Sequence, residues 1–117
     1  MVPKGKGKSE RTLTMKKVID KRIYDTDKSR KIGSFEAPEN KTDFAWYEES
    51  LYRAKNGSFF LHGEGGARSK YASRVPGGAG YGERIIPLEK FDALSWMEAH
   101  CEVEIIEELF PNIIEEA

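Results

Sequence analysis

The chain has 117 residues, of which 38% are apolar and 33% charged, and a net charge of -1. That suits one domain with a modest core under a polar surface and excludes a disordered polyelectrolyte. The near-neutral total hides an asymmetry. Residues 1–31 carry Lys4, Lys6, Lys8, Arg11, Lys16, Lys17, Lys21, Arg22, Lys28, Arg30 and Lys31 against four acids, whereas residues 98–117 carry seven glutamates and no Lys or Arg, the pattern of an electrostatic dipole.

No run of about 18 apolar residues exists to span a bilayer. The N-terminal charges precede no apolar segment, so they are not read as a secretory signal and a cytoplasmic setting is expected. Cys101 is the single cysteine and cannot form an intramolecular disulfide. With His62 and His100 it shows no zinc-ligand spacing, and neither a metal nor a cofactor is expected.

In chain order, residues 1–15 read as a flexible basic arm, either a solvated tail or a contact for nucleic acid or an acidic partner. Residues 16–117 read as a single domain. Val18, Ile19, Ile23 and Tyr24 suggest one short strand, Thr26-Asp27-Lys28 a turn, and residues 31–35 a second strand. A loop around Pro38 follows. Phe44 and Trp46 open a third strand, which Glu48 and Glu49 interrupt before Leu51 and Tyr52.

Asn56-Gly57 between two half-apolar runs is the strongest hairpin signal in the chain and predicts a type I′ turn, with Phe59, Phe60 and Leu61 returning. The aromatics crowded here, Phe44, Trp46, Tyr47, Tyr52, Phe59 and Phe60, are read as sheet core; a base-stacking platform would require two of these rings exposed on one face. His62-Gly63-Glu64-Gly65-Gly66 then reads as a glycine-rich loop. Residues 75–82, with Gly77, Gly78, Gly80 and Gly82, read as a mobile loop. Residues 83–87 form a short strand and residues 88–100 a helix with Leu88, Phe91, Leu94 and Met97 near one face. Residues 102–110 form a second helix or a continuation, halted by Pro111. The expected fold is α+β: an antiparallel sheet of about four or five strands with a central Asn-Gly hairpin and one or two C-terminal helices packed on one face.

Two regions carry candidate chemistry. The glycines of 63–66 are able to cradle an anion with backbone amides, but neither a Walker loop nor a dinucleotide fingerprint is present. His62 and Glu64, two apart, share a face of an extended strand, an arrangement suited to acid–base cleavage of RNA. Lys70 or Arg68 would balance phosphate charge and Tyr71 would orient or donate a proton. The alternatives are a binding loop, using Glu64, Arg68, Ser69, Lys70 and Tyr71, or a plain tight connection in which Glu64 pairs with Arg68 or Lys70. The second region is the acidic C-terminal stretch with Glu104, Glu107 and Glu108, which is either solvated surface or a mimic of nucleic-acid charge offered to a basic groove.

The sequence Ile23-Tyr24-Asp25-Thr26, Asp43-Phe44, Trp46 through Arg53, Asn56-Gly57, Phe59 through Gly66, Ser69-Lys70-Tyr71-Ala72, Ile85 through Leu88 and Trp96 resembles a family of small proteins carried by phages, plasmids and conjugative elements of Gram-positive bacteria. The Gly-Glu-Gly-Gly…Ser-Lys-Tyr block is its most specific part. Some members of that family are type II-A anti-CRISPR proteins. The resemblance covers roughly residues 16–100 and implies an inhibitor of an RNA-guided type II effector nuclease that blocks guide-RNA loading or causes guide trimming, with the nuclease, its guide RNA or both as partners. It assigns no catalytic residue. A homodimer and a nucleic-acid-binding accessory role for a mobile element stay open beside it.

Overall fold

The computed structural model describes residues 15–38 and 43–117; all but the last residue of the expected basic arm 1–15, and part of the loop after Pro38, lie outside the described residues. The chain forms an α+β fold. Its centre is an antiparallel sheet of β3 (Arg30–Ala37), β4 (Tyr47–Arg53), β5 (Phe59–Gly65) and β8 (Gly82–Leu88), in that spatial order. Two small hairpins flank it, β1 (Lys16–Ile19) with β2 (Arg22–Asp25) and β6 (Ser73–Val75) with β7 (Gly78–Gly80). Two helices close the chain, α1 (Lys90–His100) and α2 (Val103–Leu109). Among the described residues no helix is long and apolar enough to cross a membrane.

The period of two in β4 and β5 sorts side chains onto two faces. Leu51, Phe59 and Leu61 point to the helices and pack with Ala93, Leu94, Met97 and Phe110 as the main core. Tyr52, Phe60 and Ile85 point the other way and meet Tyr24 of the β1–β2 hairpin in a second, smaller core. The expected helix face is thus partly corrected. Leu94 and Met97 are buried together with Ala93, but Phe91 is 60% exposed, because at about 100° per residue it lies off the face that these three share. Of the aromatics expected in the core, Tyr52, Phe59 and Phe60 are buried, whereas Phe44 is 67% exposed. Trp46 and Tyr47 are half-buried, so a stacking platform of several open rings does not form.

Turn chemistry accounts for most other departures. The single strand expected around Val18 and Tyr24 is a hairpin, because Asp20 and Lys21 both adopt left-handed backbone, φ 56° and 69°. Asp is among the residues that tolerate this conformation and Lys is not, so the turn is quiet in the sequence. The Asn-Gly turn is not type I′. Gly57 N–H bonds to Ala54 O and only Gly57 has positive φ, 93°, giving a three-residue loop closed by Ala54 and Ser58. Residues 75–82, expected as a mobile loop, are mostly ordered as β6 and β7 around Pro76-Gly77, with Gly77 at φ 87°. Pro followed by a glycine with positive φ is the signature of a type II turn. Glu48 and Glu49 do not interrupt the third strand; they lie inside β4.

The expected glycine-rich loop is also corrected. Gly63 and Gly65 belong to β5, and neither Gly63, Gly65 nor Gly66 has positive φ. Their bareness makes room. A Cβ on Gly63 would collide with the Tyr71 ring, one on Gly65 with Ser69, and one on Gly66 with the Phe44 carbonyl. Tyr71, 1% exposed, lies in the trough that results. Gly63→Ala is therefore expected to destabilise the fold by about 1–3 kcal/mol through overpacking. In a Tyr71→Ala background the same change should cost much less. Urea denaturation of the four proteins measures this coupling, and equal costs in both backgrounds would rule out the contact as the reason for the glycine.

Candidate functional site

The residues singled out by the sequence are divided by the sheet. On the helix side, the turn after β5 is held by local bonds. Ser69 Oγ donates to Gly66 O at 2.8 Å and accepts from Tyr71 N–H at 3.1 Å, while Arg68 N–H donates to Phe44 O at 2.8 Å. These contacts lower Tyr71 onto Gly63 and bring its hydroxyl to Glu49. Glu49, 4% exposed, accepts from Tyr71 Oη at 2.7 Å and Trp96 Nε1 at 2.9 Å and pairs with Lys70 Nζ at 2.8 Å. Lys70 also lies 5.0 Å from the Tyr47 ring centre, and Arg84 stacks 4.8 Å from that of Tyr71.

This is a filled, satisfied knot with no room for substrate. Burial pushes the Glu49 carboxyl upward, but the donors Lys70, Trp96 and Tyr71 outweigh it and leave it below the ordinary value. Burial, then the bond to Glu49, pushes the Tyr71 phenol well up, so Tyr71 holds its proton. Lys70 is spent on Glu49, so the expected pairing of Glu64 with Arg68 or Lys70 does not occur.

On the opposite face, His62 and Glu64 do share a side, as their spacing requires. His62 Nε2 lies 2.9 Å from Glu83 Oε1, and Tyr81 donates its hydroxyl to Glu64. The four-residue set for RNA cleavage does not converge. Lys70 and Tyr71 are beyond the sheet from His62 and Glu64, and His62 is only 6% exposed. A general base must come within hydrogen-bond reach of its substrate proton, directly or through one water, and an imidazole covered this completely has no such access. The glycines, occupied by Tyr71 and its turn, offer no anion cradle.

What this face does display was not visible in the sequence. The registers Glu36↔Glu48, Glu48↔Glu64 and Glu64↔Glu83 place four glutamates side by side across β3, β4, β5 and β8. Strands lie about 4.8 Å apart, so the carboxylates form a transverse row at that step. Trp46 Nε1 donates to Glu36 at 3.1 Å, Tyr81 caps Glu64, His62 partners Glu83, and Glu48 has no side-chain partner among the described residues. Burial, the bond to Glu64 and the charges of Glu64, Glu83 and Glu48 together keep the Tyr81 phenol protonated. No group of His, Cys, Asp and Glu with metal-binding geometry occurs among the described residues.

Glu104 and Glu107 are exposed on α2. Glu108 instead takes a two-pronged bond from Arg30, at 2.7 and 3.1 Å. The dipole inferred from the sequence is thus partly cancelled where the acidic end folds back on a basic one.

The Glu49 knot has a pH signature. A carboxyl whose folded value lies below its unfolded value contributes stability that is complete above the unfolded value and is lost as pH falls through the folded one. Glu49→Gln is expected to cost about 1–3 kcal/mol at neutral pH by leaving buried donors poorly matched and to flatten the acid limb of the stability curve. Denaturant midpoints from neutral pH downward test both expectations; parallel curves for the two proteins would remove Glu49 as the titrating group. Comparison of the chain with protein-family models, with curated proteins and with solved structures finds no match.

Proposed function

We propose that this protein is a binding inhibitor rather than a hydrolase, and that it offers the Glu36–Glu48–Glu64–Glu83 row to a basic groove that otherwise takes nucleic acid. The observation that carries the reading is the register that aligns these carboxylates. A rigid sheet holds like charges at close, regular intervals, which is the property a cationic groove selects. Trp46 and the 54%-exposed Tyr81 flank the row, and amphipathic aromatics of this kind are enriched at protein interfaces. The separated positions of His62, Glu64, Lys70 and Tyr71 favour binding over guide trimming. The partner is taken from the resemblance: an RNA-guided type II effector nuclease, met in a bacterial host's cytoplasm before its guide is loaded. The row replaces the C-terminal helix as the main contact, because Glu108 is already neutralised by Arg30.

The test is a guide-loading assay with purified nuclease and labelled guide RNA, read on native and denaturing gels. The expected result is an unbound, full-length guide when the protein is added before assembly. Glu48→Lys with Glu64→Lys is expected to raise the inhibitory concentration at least about ten-fold, the scale of a lost interface charge pair; Glu104→Lys with Glu107→Lys should change it far less. A shortened guide would replace this reading with nuclease activity, and an unaffected guide and nuclease would end it.

A further inference from the structure

The end of the sheet opposite the carboxylate row is concave and positively charged. Two adjoining grooves wrap the β4–β5 turn. One, of about 650 Å³, is lined by Lys28, Arg30, Arg53 and Lys55 together with the turn backbone. The other, of about 500 Å³, is lined by Lys16, Arg22, Lys28 and Lys55, with Asp25 as its acid. Lys28 and Lys55 border both. Asp25 is already engaged, capping Asp27 N–H at 2.9 Å and lying 3.9 Å from Lys16.

Arg53 marks this surface as built for an anion. It stands directly opposite Arg30 in the β3–β4 register, a like-charge pair that opposes folding unless each cation finds a counter-charge. Arg30 has Glu108, and the charge of the same carboxylate also reaches Arg53. Arg53 makes no side-chain hydrogen bond among the described residues: its guanidinium lies 5.4 Å from the Phe59 ring centre, and its Nε is buried without an acceptor. Arg53 thus brings a guanidinium with unfilled hydrogen-bonding capacity to the lining of the groove of about 650 Å³, and a phosphate oxygen is the group a planar guanidinium fork matches best.

We infer that these grooves form a binding surface for the phosphodiester backbone of a nucleic acid, with Lys28 and Lys55 at its centre and Arg22 and Arg53 as further phosphate contacts. The site reads charge and not bases. Its neighbouring aromatics, Tyr24 and Phe59, are buried, so no ring is presented for stacking. The chain enters the described fold at Met15, whose carbonyl accepts from Thr26 N–H at 2.9 Å. The inference stands on different residues from the carboxylate row and does not depend on the inhibitor reading.

Fluorescence anisotropy of the full chain with a short labelled single-stranded RNA, the matching single-stranded DNA and its duplex, across a salt series, tests it. Binding should weaken with salt along a straight log–log line. Lys28→Glu with Lys55→Glu should lower affinity at least about ten-fold and reduce the salt slope by about 2, one unit per lost phosphate contact. The same reversal at Arg68 and Arg74, beyond the other end of the sheet, should leave both unchanged. Equal affinity for RNA and DNA assigns contacts to phosphate alone, and tighter RNA binding adds contacts to the 2′-hydroxyl. Three results would each overturn the inference: no binding to any of the three, full binding by the Lys28/Lys55 variant, which would place the contact in the N-terminal arm, or an equal loss in the Arg68/Arg74 variant.

Discussion

Everything on the helix side of the sheet is arranged around one buried carboxylate. Glu49 sits mid-strand as the acceptor, and its three donors come from two other parts of the chain: the turn after β5 supplies Lys70 and Tyr71, and α1 supplies Trp96. A buried ion is tolerated only when its hydrogen-bonding capacity is filled. The fold therefore must bring loop and helix to the same spot, and the glycines of β5 are the steric condition for doing so. The block Gly63-Glu64-Gly65-Gly66…Ser69-Lys70-Tyr71 is in large part the machinery of this knot. Glu64 is the exception, because it faces the other way.

The sheet divides the molecule into two chemical environments. Its helix side is closed by α1, α2 and the Tyr71 turn, and the polar groups gathered at Glu49 are consumed internally. On its other side Tyr24 packs on Tyr52 and Phe60. Beyond that patch lies the glutamate row, whose members keep a carboxylate oriented by Trp46, Tyr81 or His62 or, in Glu48, have no side-chain partner among the described residues. His62 illustrates how position reverses an expectation. In sequence it is the best general-base candidate; in the fold it is a covered partner that orients Glu83.

The sequence was legible where local periodicity decides. β3, β4, β5, β8 and both helices follow from alternating or helical apolar spacing, and the Asn-Gly signal placed the central hairpin even though its turn type differs. It was silent where geometry depends on distant residues. The charge of Glu49 looked like a strand breaker because its donors lie 21, 22 and 47 positions away. The glycines looked like a loop because the ring that fills their trough comes later in the chain. The carboxylate row depends on the registers of three strand pairs at once, set by loops of different lengths, and a shift of one residue in any strand would turn its glutamate to the helix side. Asp20 and Lys21 hid a hairpin because neither is glycine.

The net charge of -1 is a poor guide to how this surface meets other molecules. Glu48 and Arg53 are five residues apart on β4, so the acidic row and the basic grooves are separated by about 17 Å at the usual strand rise. That is roughly twice the screening length of about 8 Å at physiological salt. At that distance the two patches do not cancel each other's fields, and a partner touching one end senses chiefly that end. The same screening limits long-range steering by either patch, so each must act through direct contact with a complementary surface. Rigidity then matters more than total charge. The acidic row is fixed to the four central strands, and the basic grooves are tied to the same sheet through Arg30 on β3, Arg53 on β4 and the β4–β5 turn, so their spacing follows from hydrogen-bonded register. A chain with the same composition but without this sheet would keep its net charge and lose both surfaces.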